Sequence, residues 1–147
     1  MTRRTSAKAG STRGREGLGV GGWGDRMAIQ SSRDLEVWKL ALDLAVECYR
    51  ITKTFPKDEL FGLTSQIRRA AASVPANIAE GHGRDHTKEF LYHLSIARGS
   101  LMELQTHLLL ANRISLLPQS DVEELLRLSD SISKMISRLR QSLQKRL

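Results

Sequence analysis

The sequence predicts an all-α fold, an up-down-up-down antiparallel four-helix bundle over residues 31–147. Apolar residues recur at intervals of three and four through four segments, at about 33–55, 58–81, 85–113 and 119–145. No segment alternates polar and apolar residues with period two, so no strand is expected. Proline and glycine leave only short connections between the segments, which favours helices that pack on their neighbours in the chain.

Residues 1–30 differ in composition from the rest. They hold seven of the eleven glycines and show no hydrophobic period, which is typical of a disordered Gly/Arg-rich tail. Met27, near the end of this tail, is an alternative translation start. Residues 1–26 carry six basic and two acidic residues, so only +3 of the net charge of +7 belongs to the remainder. The predicted bundle is therefore only mildly basic.

Composition excludes several classes of protein. Cys48 is the single cysteine, so neither a disulfide framework nor a thiolate metal cluster is available. No run approaches the roughly 18 apolar residues of a membrane span, and the N-terminus lacks the apolar core of a secretory signal. The sequence predicts a cytoplasmic protein.

The first two helices differ in their apolar width. The first is apolar on two adjoining faces, one from Val37 to Phe55 and the other from Leu35 to Thr52. Pro56 ends it, because proline cannot donate to the helix. The second helix is expected to start near Asp58 and to end at Gly81 and Gly83, where glycine supplies a left-handed cap.

The third and fourth helices each carry a heptad seam. Asp85 is expected to cap the third, and Pro118 with the capping box Ser120-x-x-Glu123 to open the fourth. The third seam is Phe90, Leu94, Ala97, Leu101, Leu104, Leu108 and Ala111, and the fourth is Val122, Leu125, Ser129, Ile132, Ile136, Leu139 and Leu143.

Apolar residues exceed what one core needs. The second apolar face of helix 1 is matched in helix 3 by residues outside its seam, namely Leu91, Met102, Leu109 and Leu110. A helix in a monomeric bundle buries a single stripe about 100° wide. The surplus predicts a second buried surface and hence a homo-oligomer, the alternative being a wide core stripe.

The segment Arg68–Arg84, RRAAASVPANIAEGHGR, places Pro75 inside a helix. The proline removes one backbone hydrogen bond at a cost of about 3 kcal/mol unless neighbours compensate. The small residues 70–73 allow a neighbouring helix to approach, and Asn77 can bond a freed carbonyl or that helix. This packing seam is the preferred interpretation. The alternative is a ligand-facing polar patch made of Arg69, Ser73, Asn77, Glu80 and Arg84.

Three quoted segments carry a resemblance to a known family. They are DLEVWKLALDLAVECY at 34–49, QIRRAAASVPANIAEGHGR at 66–84 and KEFLYHLSIARGSLMEL at 88–104. In this order and spacing, the chain from about Asp34 to Arg146 resembles the four-helix-bundle family of the 23S rRNA intervening sequence protein. The residues taken as the structural signature are Pro75, Asn77, Glu80, Gly81, Arg98 and Gly99.

The resemblance implies a ring-shaped homopentamer. It says less about activity, because most members have no assigned biochemical activity. Some members are encoded within insertions in ribosomal RNA genes. A related branch is the accessory protein of diversity-generating retroelements, which engages nucleic acid and a reverse transcriptase. The resemblance therefore implies a binding role and leaves the ligand open.

Enzymatic chemistry finds little support in the residues. His86, Glu89 and His93 share one helical face and form a weak candidate for a metal site. Di-iron bundles, however, need Glu-x-x-His on two helices, and this chain has none. Cys48 lies on an apolar face with no histidine at helical spacing. A non-enzymatic protein without a cofactor is predicted.

A nucleic-acid surface is the favoured functional hypothesis. Arg127, Lys134, Arg138 and Lys145 form a stripe along helix 4, and no acidic residue follows Asp130. Such a stripe can follow phosphates, although cations near a helix C-terminus also offset its dipole. A ring would repeat Arg68, Arg69 and Arg84 as further contacts. With few aromatic residues free to stack on bases, we expect backbone-driven binding, with RNA as the favoured partner. The runner-up is a scaffold that docks a protein such as a polymerase.

Overall fold

The computed structural model describes residues 32–147, so the predicted tail and Met27 lie outside the described residues. This part of the chain is all-α. Its four helices are α1 (Ser32–Thr52), α2 (Leu63–His82), α3 (Thr87–Arg113) and α4 (Gln119–Gln144), with a 3-10 turn at Lys57–Glu59 and no strand in the described range. None of the helices described is long and apolar enough to cross a bilayer.

The core is built from the predicted seams. Every seam residue of α3 and α4 is buried, and the α1 face from Val37 to Phe55 is buried except for the half-buried Leu40. The second face of α1 divides: Trp38 and Thr52 are buried, whereas Tyr49 is 45% exposed. Most of the apolar surplus of α3 therefore remains at the surface, with Met102, Leu109 and Leu110 each close to half exposed.

Each helix packs on its neighbours in the chain, and α4 returns to pack on α1. The α2–α3 contact is the most extensive of these interfaces. Asp34 at the start of α1 lies beside His82 at the end of α2. Farther along, Gln105 of α3 donates to Ser129 of α4. Because α1 and α3 both pack on α2 and α4, they occupy opposite corners of the four-helix bundle.

The starts of the helices differ from the predicted caps. α2 begins at Leu63 rather than near Asp58, and the Glu59 carboxylate accepts a hydrogen bond from the Leu63 amide at 3.0 Å. The N-cap of α3 is His86 rather than Asp85, without a side-chain cap bond. Pro118 itself occupies the N-cap of α4 and supplies no side-chain cap bond. The expected capping box at Ser120 therefore does not form, because Ser120 already lies inside the helix.

The helix ends also correct a prediction. Gly81 lies within α2, Gly83 caps it with an ordinary φ of −75°, and no described glycine has a positive φ. The left-handed residue is Ser115, with φ 66°. The Leu116 amide donates to the Ala111 carbonyl at 2.9 Å and the Ser115 amide to that of Asn112 at 3.0 Å. This is a Schellman motif, in which serine occupies the position that glycine usually takes.

Candidate nucleic-acid interface

The stretch around Pro75 builds a polar seam between α2 and α3. α2 continues through Pro75, which is buried. Asn77 Nδ2 donates to the Ser73 carbonyl at 2.9 Å and to Ser73 Oγ at 3.0 Å, and Asn77 Oδ1 lies 3.2 Å from His93 Nδ1. Ser73 Oγ in turn lies 2.8 Å from Ser100 Oγ. These polar atoms satisfy one another across the two helices, as a packing seam requires.

Glu80 and Arg84 continue this seam to the end of α2. Arg84 Nη2 donates to Glu80 Oε1 at 3.0 Å, and the same oxygen lies 3.9 Å from His93 Nε2. The hydrogen bond from Arg84 to Glu80 raises the pKa of Arg84. The guanidinium is therefore already engaged by a carboxylate, which reduces what it can offer a phosphate.

Gly81 marks the point of closest approach between α2 and α3. A Cβ atom placed on Gly81 would lie 2.7 Å from His93 Cβ and 2.9 Å from Phe90 Cδ2. No side chain fits there without moving α3. Gly81 is thus required by packing and not by the left-handed conformation that the sequence suggested.

Arg68 and Arg69 of α2, which the sequence predicts to contact nucleic acid, make contacts between helices in the structure. Arg68 Nε donates to Thr52 Oγ1 at 2.9 Å, and its guanidinium carbon lies 4.8 Å from the centre of the Tyr49 ring. Arg69 Nη2 donates to Glu103 Oε1 at 2.8 Å and also to Gln66. Both side chains hold α2 to its neighbours, α1 and α3.

The stripe on α4 divides into two parts. Arg127 pairs with Glu124 at 2.7 Å. Lys134, Arg138 and Lys145 are exposed, and none has an ion pair within residues 32–147. A shallow depression of about 420 Å³ is lined by Asp130, Ser133, Lys134, Ser137 and Arg138. The second half of α4 therefore combines free cations with hydroxyl groups on one surface.

The weak metal candidate is not assembled. His93 is buried and faces Asn77, whereas Glu89 and His86 are exposed. Across the described helices, no group of three His, Cys, Asp or Glu side chains could hold an ion.

Cys48 offers no reactive thiol in the folded chain. Its side chain is fully buried, and burial raises the pKa of the thiol to about 12. Since the thiolate is the nucleophilic form, the folded protein keeps this sulfur inert.

Sequence reasoning missed a buried pair at the same end of α2. The side chains of His82 and Asp34 are each 6% exposed, and His82 Nε2 lies 3.7 Å from Asp34 Oδ2. The His82 ring packs edge-on against Phe90, and neither of its nitrogens has a hydrogen-bond partner among the described residues. The only indication in the sequence that His82 is buried was the apolar spacing of α2, which places Val74, Ile78 and Gly81 on the core side.

The two remaining signature residues are not explained by contacts within the chain. Arg98 and Gly99 are exposed on α3. A Cβ atom built on Gly99 meets no atom within 4 Å. Unlike Gly81, Gly99 has no packing role in the described residues.

Comparison with known proteins agrees with this architecture. A solved structure from Bacteroides thetaiotaomicron, described as a protein with unknown function from the S23 ribosomal protein family, superposes with a TM-score of 0.70. It is 24% identical in sequence, and the match covers 74% of this chain and 98% of that one. No curated protein matches the chain. The model of the family described as 23S rRNA-intervening sequence protein matches residues 33–138. The chain belongs to the 23S rRNA-intervening sequence protein family.

Proposed function

We propose that this protein is a non-enzymatic, cytoplasmic, self-associating module that binds nucleic acid through the phosphate backbone. One observation carries the proposal. Lys134, Arg138 and Lys145 on the second half of α4 are exposed and form no ion pair in the described chain, whereas the other predicted contacts are engaged by neighbouring side chains. Cations that are not held in an ion pair are the ones most available to phosphates.

The depression on α4 has the chemistry of a phosphate contact. Lys134 and Arg138 supply positive charge, and Ser133 and Ser137 supply hydroxyl donors on the same surface. Such side chains make most protein contacts to phosphate and sugar. The one carboxylate in the lining, Asp130, accepts a hydrogen bond from Gln105 at 3.0 Å. Lys145 extends the positive charge toward the end of the helix.

RNA is the favoured ligand within this proposal. The family to which the chain belongs is described by a ribosomal RNA intervening sequence. The exposed rings Phe61 and Tyr92 lie outside α4, and α4 itself contains no aromatic residue, so base stacking contributes little on this surface. We therefore expect recognition of backbone shape with weak preference for sequence.

We further propose a homopentameric ring of up-down-up-down bundles. The reversal of direction between α2 and α3 is supported by the bonds from Ser73 to Ser100 and from Asn77 to His93. The exposed apolar residues of α3 support self-association. In a ring, the weak cationic surface of each subunit is repeated, which raises the effective concentration of binding sites.

A second candidate function is a scaffold that docks a protein such as a polymerase or reverse transcriptase. The connection between α1 and α2 favours it. Phe61 is 92% exposed there and Leu60 is 50% exposed. Exposed aromatic and apolar side chains on a connection are typical anchors of protein interfaces.

The proposal is tested with the double variant Arg138→Glu with Lys145→Glu. Fluorescence anisotropy with a ribosomal RNA fragment, duplex DNA and a single strand is measured over a range of salt concentrations. For each phosphate that the variant no longer neutralises, the slope of log affinity against log salt should become shallower by about 0.7 to 0.9. The variant should bind more weakly and with a flatter slope.

The matched control is Lys53→Glu with Lys57→Glu, which makes the same change of charge at exposed positions near the end of α1. If the two double variants bind with equally reduced affinity, the effect is one of net charge, and the assignment to α4 is wrong. A wild-type chain that binds none of the probes at low salt would make the scaffold the leading function.

A further inference from the structure

A depression of about 290 Å³ lies where the end of α1 meets the start of α2. Three of the residues that line it are basic, Lys53, Lys57 and Arg68, and none is acidic. It shares no lining residue with the depression on α4. Its volume is close to the lower end of the range found for small-molecule sites. This part of the surface is therefore separate from the proposed nucleic-acid contact.

The three cations of this depression keep their charge. None of them forms an ion pair within residues 32–147. Arg68 Nε donates to Thr52 Oγ1 at 2.9 Å, and the guanidinium carbon lies 4.8 Å from the centre of the Tyr49 ring. Both partners are uncharged, so they fix the position of the guanidinium group without neutralising it. Like charges around one small cavity repel one another, and an anion bound between them would relieve this repulsion.

Thr64 supplies a hydroxyl group without a partner. The residue lies in the first turn of α2 and is only 4% exposed. Its Oγ1 makes no hydrogen bond within the described part of the chain, whereas the buried Thr52 hydroxyl donates to the Cys48 carbonyl at 2.8 Å. Buried polar groups are normally paired, so an unpaired one needs an explanation such as a bound ligand. Because Thr64 lines the depression, the missing partner would belong to a molecule bound there.

The start of α2 adds to the positive character of this place. Free amide groups at a helix N-terminus carry partial positive charge and attract anions. The Glu59 carboxylate accepts a hydrogen bond from the Leu63 amide at 3.0 Å but does not line the depression. The N-cap residue, Gly62, has no side chain with which to cap the amides that follow. The end of the helix therefore favours an anion on the side where Thr64 lies.

Apolar side chains lie next to the cations. Phe55, Pro56 and Leu60 line the same depression, with Phe55 9% exposed and Leu60 50% exposed. Such a surface gains free energy when an apolar group covers it. The lining thus combines a place for an anion with a place for an organic group, which inorganic phosphate alone would not fill.

We propose that this depression binds a small phosphate monoester. Lys53, Lys57 and Arg68 hold the phosphate group. Thr64 donates its hydroxyl to a phosphate oxygen, and the organic group packs on Phe55. A phosphate monoester carries nearly two negative charges and three acceptor oxygens, which suits three cations and a hydroxyl donor better than a carboxylate does. The diester groups of a nucleic-acid backbone carry one charge each along an extended surface, which does not match cations around one cavity.

Isothermal titration calorimetry of the full chain tests the site with three probes, phenyl phosphate, inorganic phosphate and phenol. Phenyl phosphate should bind about tenfold more tightly than inorganic phosphate, because its ring covers apolar surface. Phenol, which has the ring without the charge, should not bind.

The double variant Lys53→Glu with Lys57→Glu should lose phenyl phosphate and keep its affinity for RNA. The matched control is Lys39→Glu with Lys88→Glu, which makes the same change of charge at exposed positions away from the depression and should bind phenyl phosphate as the wild type does. Because all four side chains are exposed, helix content by circular dichroism should be unchanged in both variants.

Thr64→Val gives the sharpest result, because it replaces the hydroxyl by a methyl group of similar size. It should weaken the binding of phenyl phosphate about tenfold, as the loss of a hydrogen bond to a charged group does. Without a ligand, the melting temperature should be unchanged or higher, because the hydroxyl has no partner to lose in the described chain. A lower melting temperature would show that the fold itself uses this hydroxyl, which overturns its assignment to a ligand.

Several other outcomes would overturn the proposal. A wild type that binds no phenyl phosphate at low salt has no such site. Equal affinity for phenyl phosphate and inorganic phosphate contradicts the role of the apolar lining, and equal losses in the variant and its matched control show unspecific attraction. A 5′-phosphorylated oligonucleotide that binds more tightly than phenyl phosphate, and only while Lys53 and Lys57 are intact, would assign the depression to nucleic acid instead.

Discussion

Asn77 makes three polar contacts, two within α2 to the carbonyl and hydroxyl of Ser73 and one across to His93 of α3. We expect Asn77→Leu to lower the free energy of unfolding by about 1 to 3 kcal/mol, because partly buried polar groups lose their partners. Urea unfolding measures this, with Gln141→Leu on the exposed side of α4 as the control. If the variant keeps its stability but no longer binds nucleic acid, Asn77 acts in binding and not in packing.

Cys48 gives a prediction that depends on pH. Burial raises the pKa of its thiol from 9.0 to about 12, so folding favours the protonated form. The stability linked to this group is fully present below pH 9 and is lost as the pH rises toward 12. Native protein at pH 8 should therefore react with a disulfide reagent far more slowly than protein unfolded in guanidinium. Equal rates would contradict the burial of this thiol.

Side-chain partners near one another in sequence were within reach of prediction, and distant ones were not. The pair Glu80–Arg84 follows from helical spacing alone. The partners of Asn77 and Arg69 on α3 depend on how far α3 is rotated and shifted against α2, which no spacing within α2 encodes. The contact between Asp34 and His82 was missed for the same reason, since Asp34 lies at the start of α1 and His82 at the end of α2.

Within single elements, the end of α3 offers the clearest test. Ser115 holds the left-handed conformation without a glycine, which costs on the order of 1 kcal/mol. Ser115→Gly should therefore stabilise the protein by up to about 1 kcal/mol, measured by thermal and urea unfolding. Ser120→Gly is the matched control, because Ser120 is inside α4, where glycine should destabilise by about 0.5 kcal/mol. Destabilisation by both substitutions would argue against the Schellman motif.

The elements themselves were largely predictable because burial repeats every three and four residues. The heptad seams of α3 and α4 are buried without exception. Helix ends were less predictable, since several residue types compete for each cap. Pro118 displaced the expected capping box, and the left-handed residue is a serine where the sequence pointed to Gly81 and Gly83.

At the scale of the whole molecule, self-association makes stability depend on concentration. If subunits bury their exposed faces in an oligomer, the melting temperature should rise with protein concentration, as mass action requires. Differential scanning calorimetry over a hundredfold range of concentration checks this, with Met102→Glu as the control whose melting temperature should stay constant. A wild type with constant melting temperature would contradict the oligomer.

Net charge was a poor guide to the surface of the molecule. The total of +7 counts every cation alike, yet Arg69, Arg84 and Arg127 each pair with a carboxylate in the fold. Only the structure separates them from Lys134, Arg138 and Lys145. Sequence order predicted the helices and their neighbours, while the division into engaged and available cations is a property of the packed chain.

The closed cycle of helix contacts has a consequence for how the chain reaches its native state. Three of the four interfaces join helices that are consecutive in the chain, and only the α1–α4 interface brings its two ends together. Mostly local contacts give a low contact order, which favours folding on the order of microseconds to milliseconds. The loop-closure entropy is greatest for α1 with α4. We therefore expect a nucleus in the packed pair α2 and α3, with the first and last helices joining at the end.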